Sequence, residues 1–276
     1  MTKIVTTVTE LRAALAALKP AKIGMVPTMG ALHDGHVSLV TEAQTRCDHV
    51  LVSIFVNPAQ FAPHEDFDTY PRTLDADLKT LGGRAAIVFT PTAREMYPDG
   101  HATSIVVGGP SAGLESDFRP HFFAGVATVV AKLLIAAMPD VALFGEKDYQ
   151  QLLVVKRLVR DLGLPVEILG VPTLREADGL ALSSRNAYLS GEERRIAAGL
   201  NAVLKGAIAS VRENGDLRAA EAGAIEALWR RGFAHVDYVA IRDAETLDHI
   251  TTLERPARIL AAAKIGKTRL IDNMAI

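Results

Sequence analysis

Between residues 23 and 169, short runs of almost wholly apolar residues alternate with longer stretches in which apolar residues recur every three or four positions. The short runs, at 23–26, 50–56, 85–89, 104–107, 141–144 and 166–169, have the length and continuity of strands buried on both faces. The stretches between them carry helical stripes. Val37, Leu39 and Val40 open a helix that ends near Arg46, and residues 74–81 form another, closed by Gly82–Gly83. Val126, Val129, Val130, Leu133 and Ala137 mark one face of a helix stopped by Pro139, and Leu152, Val155, Leu158, Val159 and Leu162 mark a further one ahead of Gly163. An earlier helix, with Leu11, Ala14, Leu15 and Leu18 on one side, ends at Pro20, so 23–26 reads as the first buried strand.

Beyond about residue 172 the rhythm changes. Residues 192–212 and 217–231 read as two helices separated by Asn214–Gly215, and 236–241, 258–263 and 268–271 then follow as strands with no helix between them. Strand–helix alternation builds βαβ units, whereas helices followed by consecutive strands suggest an α+β unit. The fold class expected is therefore α/β: a Rossmann-like doubly wound parallel sheet over residues 1–173, with a smaller C-terminal α+β domain over 174–276. The length of 276 residues suits two domains.

Charge and cysteine content exclude several function classes. With 30 basic and 32 acidic side chains the net charge is −2, so no field of one sign exists to hold a nucleic acid. Cys47 is the only cysteine, which rules out a disulfide within the chain and argues against a thiolate metal site. It reads as a small apolar filler on a helix, and a reducing cytoplasm suits it. The N-terminal ten residues, rich in Thr and Val, lack the basic-then-apolar pattern of a signal peptide. The longest apolar stretch, 126–138, is interrupted by Lys132 and is too short to cross a bilayer.

The chemistry concentrates in Pro27–Thr28–Met29–Gly30–Ala31–Leu32–His33–Asp34–Gly35–His36. Two histidines three residues apart fall in a turn, where a strand hands over to a helix. Free N–H groups and the positive end of the helix dipole face outward at such a point, which favours phosphate. Glycine lets backbone approach a ligand closely. Two imidazoles add donors that can follow charge as it builds on phosphorus. The blander readings are a capped turn or a nascent metal site, although a zinc pair on a helix would be spaced by four with an acid between. Neither a P-loop signature nor a Gly-x-Gly-x-x-Gly follows the strand, which argues against a P-loop enzyme and a dinucleotide dehydrogenase.

His-x-Gly-His in this position resembles the nucleotidylyltransferase superfamily and its relatives, the class I aminoacyl-tRNA synthetases. Further segments narrow the likeness: Phe55–Val56–Asn57–Pro58–Ala59–Gln60–Phe61, Phe144–Gly145–Glu146–Lys147–Asp148–Tyr149–Gln150–Gln151, Leu182–Ser183–Ser184–Arg185–Asn186, and Gly266–Lys267–Thr268–Arg269–Leu270–Ile271–Asp272–Asn273. In this order, over nearly the whole chain, they resemble the pantothenate synthetase family.

That resemblance implies an ATP-dependent ligase. Pantoate is activated as an acyl-adenylate with loss of pyrophosphate, and β-alanine then displaces AMP to give pantothenate, a precursor of coenzyme A. It implies Mg²⁺ with the ATP and a homodimer; the C-terminal domain is expected to close as a lid, because the Ser183–Arg185 loop lies past the boundary while the histidines lie before it. By resemblance, His36 and His33 are catalytic. Met29, Gly30, Ala31, Leu32, His33, Asp34, Gly35 and His36 line the ATP site. Gly145, Glu146, Lys147 and Asp148 hold ribose and phosphate, the backbone of Leu174 meets adenine, and Leu182, Ser183, Ser184 and Arg185 cover the outer phosphates. Gln60 and Gln151 are the pantoate ligands, neutral groups that suit a small hydroxylated acid, with Pro27, Met29 and Phe61 as apolar walls. Asn57 and Tyr70 are weaker candidates. Asp75 and Asp77 could help to hold Mg²⁺, but a solvated helix face is the expectation for both. The protonation state of the histidines and the metal ligands are left open.

One departure stands out at Arg119–Pro120–His121–Phe122–Phe123, where Phe122 occupies the family's usual histidine position and His121 precedes it. No catalytic role is read there; a pocket floor and a subunit contact are expected. Three other readings remain at this point: another nucleotidylyltransferase of the superfamily, a tRNA synthetase fragment, and a silent nucleotide-binding regulator. The uncharged Gln60 and Gln151 speak against a phosphorylated acceptor, the charge balance against RNA, and the intact His33, His36, Lys147 and Arg185 against silencing.

Overall fold

The computed structural model describes residues 2–62, 65 and 67–276. In chain order the elements are β1 (Lys3–Val5), α1 (Val8–Ala16), β2 (Ile23–Thr28), α2 (Asp34–Arg46), β3 (His49–Ile54), α3 (Leu74–Leu81), β4 (Ile87–Phe89), α4 (Ala93–Met96), α5 (Glu115–Phe118), α6 (Phe122–Ala137), β5 (Val141–Gly145), α7 (Tyr149–Leu162) and β6 (Glu167–Val171). There follow α8 (Gly191–Ala197), α9 (Gly199–Asn214), α10 (Leu217–Arg230), β7 (His235–Asp243), β8 (Ala257–Ile265) and β9 (Thr268–Ala275). The chain divides into two compact units. One runs to Glu146 and takes up Val154–Pro172; the other comprises Lys147–Leu153 and Thr173–Ile276.

The first unit is a six-stranded parallel sheet in the order β1-β4-β3-β2-β5-β6. Strand order runs outward in one direction from β2 to β3 and β4, and in the other from β2 to β5 and β6. The reversal between β2 and β5 is the topological switch point at which open α/β sheets bind ligands, beyond the carboxyl ends of the strands. One core cluster explains the apolar runs: Val26, Val50, Val52, Val88, Val141 and Leu143 from the strands meet Leu39, Val40 and Ala43 of α2. Gly24 lets α2 lie close, because a Cβ there would meet Cys47 Sγ at 3.1 Å and Ala43 Cβ at 3.3 Å. Cys47 is thus a packing group, and burial pushes its thiol above the usual range.

The second unit carries a three-stranded antiparallel sheet, β7-β8-β9, covered by α9 and α10. Its own core joins Leu200, Leu204 and Val211 of α9 and Leu228 of α10 to Ile241, Ile259 and Ala261 of the strands. The α/β class, with a doubly wound parallel sheet and a smaller α+β part, is the architecture found.

Several local expectations need correction. The strand at 23–26 is the second, because Lys3–Val5 pairs with β4 at the sheet edge. Residues 104–107 form no strand; the Ile105 N–H is taken by the Thr128 hydroxyl of α6 (2.9 Å), and Val106 is exposed. The helix expected over 192–212 is two, α8 and α9, meeting at Ala198. Among the described residues no helix is long and apolar enough to cross a membrane.

Candidate functional site

Beyond β2 the chain turns and enters α2 at Asp34, three residues before the expected Val37. Gly30 (φ 85°) and Ala31 (φ 50°) both lie in the left-handed region. Gly30 must be glycine: a Cβ would press on Ile54 Cγ2 and an Asp77 oxygen at 3.1 and 3.0 Å. Ala31 has no such freedom, and holding it there costs roughly 1 kcal/mol. Asp77 of α3 stabilises the conformation. Its two carboxylate oxygens accept the Ala31 N–H (3.2 Å) and the Leu32 N–H (2.8 Å), and the Thr73 hydroxyl adds a longer bond at 3.4 Å.

Asp77 is only 2% exposed, so the solvated helix face expected for it is wrong, whereas Asp75 is exposed as anticipated. Burial pushes the Asp77 carboxyl above the usual carboxylate range, against the pull of the two backbone donors.

His33 is the N-cap of α2. Its Nδ1 accepts the Gly35 N–H (3.1 Å), and His36 Nδ1 accepts the His33 N–H (3.3 Å). This is a reciprocal capping box built from imidazoles, a role usually filled by Ser or Thr with Glu or Gln. The rings lie 4.2 Å apart, tilted by 44°. The capped turn of the blander reading is thus built from the same two histidines that are the candidates for chemistry. Each Nδ1 is a hydrogen-bond acceptor, so the proton of each neutral ring sits on Nε2, and the Nε2–H edge is the donor.

The backbone donors differ from the expectation of N–H groups open to a ligand. Gly30 N–H goes to the Thr28 hydroxyl, those of Ala31 and Leu32 to Asp77, and those of His33 and Gly35 to the two imidazoles. Leu32 turns its side chain into the core cluster. Most of the turn's backbone is therefore tied inward.

Gln60 ends a short 3-10 turn, Pro58–Gln60, after β3. Its amide nitrogen lies 3.0 Å from Met29 Sδ, so the structure brings it beside the turn. The buried Asn57 organises this corner: its amide donates to Gln60 Oε1 (3.1 Å) and to the Gly125 carbonyl (3.2 Å), while its oxygen accepts from Ala59 N and the Tyr97 hydroxyl. Burial holds the Tyr97 phenol up to about 12. Phe61 is half-buried, edge-on to Phe67 and Tyr70.

Arg119 makes a two-pronged ion pair with Glu65 (2.6 and 2.8 Å), reaches the Gln60 carbonyl at 3.4 Å, and lies 3.9 Å over the Phe122 ring. Phe122 thus serves as a platform for the guanidinium. Tyr97 and Glu65 were not readable as parts of this corner, because nothing in their neighbourhoods signals contacts 40 and 54 residues away.

Gly145 closes β5 beside β2, at the switch point, and Glu146 begins the next 3-10 turn in which Lys147 and Asp148 belong to the second unit. There Lys147 Nζ lies 3.7 Å from Asp148, and the buried Asn273 of β9 donates to the Lys147 carbonyl at 2.9 Å. Gln151 follows in the first turn of α7, half-buried. Leu174 and Leu182 face each other across a small hairpin, the Leu182 N–H donating to the Leu174 carbonyl (3.0 Å). Ser183 caps the 3-10 turn Ser184–Tyr188 through Arg185 N, and this turn packs against β9. Arg175, beside Leu174, forks onto Asp272 at 2.8 Å twice. One strand, β9, therefore fixes both the Lys147 backbone and the loop that carries Arg185, a link no spacing in the sequence reveals.

A cleft of about 670 Å³ elsewhere, lined among others by Lys3, Cys47, His49 and Arg84, lies at the amino ends of the strands, opposite the switch point.

Comparisons with known proteins bear on the family and the fold. The family model for pantoate-beta-alanine ligase matches residues 3–275. The pantothenate synthetase of Caulobacter vibrioides is 54% identical, over 99% of this chain and 98% of its own. The crystal structure of the pantothenate synthetase of Thermus thermophilus superposes with a TM-score of 0.93 at 48% identity, over 99% of each chain. The pantoate-beta-alanine ligase of Francisella tularensis, solved in complex with beta-gamma ATP and beta-alanine, gives 0.84 at 35% identity, over 99% of this chain and 97% of that one. Matched from end to end by the family model and by these relatives, this chain with its switch-point sheet belongs to the pantoate–β-alanine ligase family, the pantothenate synthetases.

Proposed function

We propose that the chain joins pantoate to β-alanine at the expense of ATP, through a pantoyl adenylate, and releases AMP and pyrophosphate. A carboxylate oxygen of pantoate attacks the α-phosphorus, and the bond to the bridging oxygen of pyrophosphate breaks. The amine of β-alanine then attacks the acyl carbon, the bond to the AMP oxygen breaks, and the ammonium formed loses a proton. Activation is needed because a carboxylate resists nucleophiles, whereas AMP is a good leaving group.

The observation that carries the reading is the His33–His36 capping box, in which each imidazole Nδ1 accepts a backbone N–H. Two imidazoles held in place by backbone hydrogen bonds need no reorganisation as charge grows on the α-phosphate oxygens, which is the condition for strong transition-state stabilisation. The rest of the turn, 29–36, frames the nucleotide. Gly145 and Asp148 take the ribose hydroxyls, Lys147 and the Leu182–Arg185 segment the phosphates, and Leu174 the adenine through its backbone. Gln60 and Gln151 take the oxygens of pantoate. The Francisella relative, with an ATP form and beta-alanine bound, supports these substrates. The uncharged Gln60, set by Asn57, favours a carboxylic acid over the phosphorylated acceptors of other nucleotidylyltransferases.

Among the described residues no group of three or more His, Cys, Asp or Glu side chains could hold a metal ion. Magnesium would arrive with ATP, and Asp75, exposed on α3, would be the candidate protein contact. When bound, such an ion neutralises charge on departing pyrophosphate. A homodimer is proposed from the habit of the family, and a cytoplasmic setting from the single reduced cysteine. The test is AMP formation from ATP by the purified chain. AMP that requires both pantoate and β-alanine supports the ligase; AMP or nucleotide transfer with either acid omitted contradicts it.

A further inference from the structure

We infer that Asp77 is the positioning residue of the phosphate turn: it holds Ala31 and Leu32 so that the next residue, His33, enters the capping box in register. This deepens the proposed function and rests on it for its rate predictions. Asp77 is buried, and among the described residues it makes no ion pair; its hydrogen bonds there come from two backbone amides and the Thr73 hydroxyl. A buried carboxylate without a cation is unfavourable unless amide donors offset it. Those donors belong to consecutive residues of the turn, 46 and 45 positions earlier in the chain.

Ala31, an L-residue at φ 50°, has no local reason to stay there, so the carboxylate from α3 is what closes the turn. Both carboxylate oxygens are used, one on each amide. An asparagine of the same shape offers one acceptor and sets its NH₂ against the other amide, so it cannot hold both. Releasing the Ala31–Leu32 backbone frees the His33 N–H, on which the His36 Nδ1 acceptor bond depends. The tautomer of His36 is then no longer fixed, and one of the two Nε2–H donors is lost for part of the time.

The experiment is Asp77→Asn in the full chain, with two readouts. Pantoate-dependent exchange of pyrophosphate into ATP is expected to slow at least tenfold in kcat, with KM for ATP changing less than threefold. The ¹⁵N spectra of the imidazoles are expected to show bare Nδ1 and protonated Nε2 for both rings in the wild type, and mixed tautomers in the variant. A variant that keeps either the wild-type rate or the wild-type ring spectra overturns the inference. A wild type with no exchange at all would overturn the proposed function instead, and the ring spectra alone then decide the role of Asp77. Should the Asn variant not fold, Asp77→Glu, which keeps the charge but displaces the oxygens by one methylene, is judged by the same two readouts.

Discussion

Gly125 of α6 faces the 3-10 turn that carries Gln60, and the fit leaves no room for a methyl group. A Cβ at this position would lie 2.2 Å from the Ala59 carbonyl oxygen and 2.7 Å from Gln60 N. Both partners are backbone, so relief requires the turn or the helix to move by about 1 Å, as for overpacking in a core, which costs about 1–3 kcal/mol. The same movement stretches the Asn57 bond to the Gly125 carbonyl, worth a further ~1 kcal/mol. Gly125→Ala is therefore expected to destabilise the chain by about 2–4 kcal/mol, a fall in Tm of roughly 4–16 °C. Because the displaced element carries Gln60, KM for pantoate should rise about tenfold or more while KM for ATP changes little, since a shift of about 1 Å at a positioning residue is felt strongly. Thermal unfolding and initial rates with each substrate varied in turn measure both effects. An unchanged Tm together with an unchanged KM for pantoate would refute the claim that this helix sets the Gln60 turn.

Other perturbations reach different parts of the site. His33→Ala and His36→Ala should each slow adenylation by about 10²–10³-fold, as for loss of a transition-state donor, with far smaller effects on ATP binding; equal losses in rate and binding would contradict the donor role. Tyr97 bears on stability at alkaline pH. Its phenol is held up to about 12 by burial, so its contribution is fully present below pH 10 and is lost as pH rises through 12. Tyr97→Phe should flatten that part of the stability profile in denaturant titrations, and an unchanged slope would count against the buried phenol. Asn273→Ala removes the bond to the Lys147 carbonyl and should raise KM for ATP about fivefold with little change in kcat, measured by steady-state kinetics; an unaltered KM would deny β9 its part in setting Lys147.

The parts of the fold that could be read in advance are those where burial writes a period into the chain. The central strands β2, β3 and β5 are covered on both faces and appear as continuous apolar runs. β1 is three residues at the sheet edge, with two of them exposed, and leaves no such mark. Residues 104–107 carry the mark without the structure, because a strand also needs a partner, and the amide of Ile105 is used by a threonine side chain instead. The break between α8 and α9 at Ala198 lies between two helical stretches and interrupts no pattern.

At the candidate site, the histidine pair stands out in the sequence because helix ends and imidazoles have chemistry of their own. What could not be seen is how they are held. The expectation of open amides at the turn fails because Asp77, far away in sequence and outwardly a helix-surface acid, has already taken two of them. Likewise Asn57, Tyr97 and Gly125 meet around Gln60 only through the packing of α6 on the Pro58–Gln60 turn. Long-range hydrogen bonds of this kind leave no periodicity behind.

The central claim is that a carboxylate oxygen of pantoate becomes bonded to the α-phosphorus of ATP beside His33 and His36. Pantoate labelled with ¹⁸O in its carboxylate, turned over with ATP and β-alanine, tests this by mass spectrometry of the products. One ¹⁸O atom delivered to each AMP is the result predicted. Unlabelled AMP, or label recovered in inorganic phosphate alongside ADP, would contradict it.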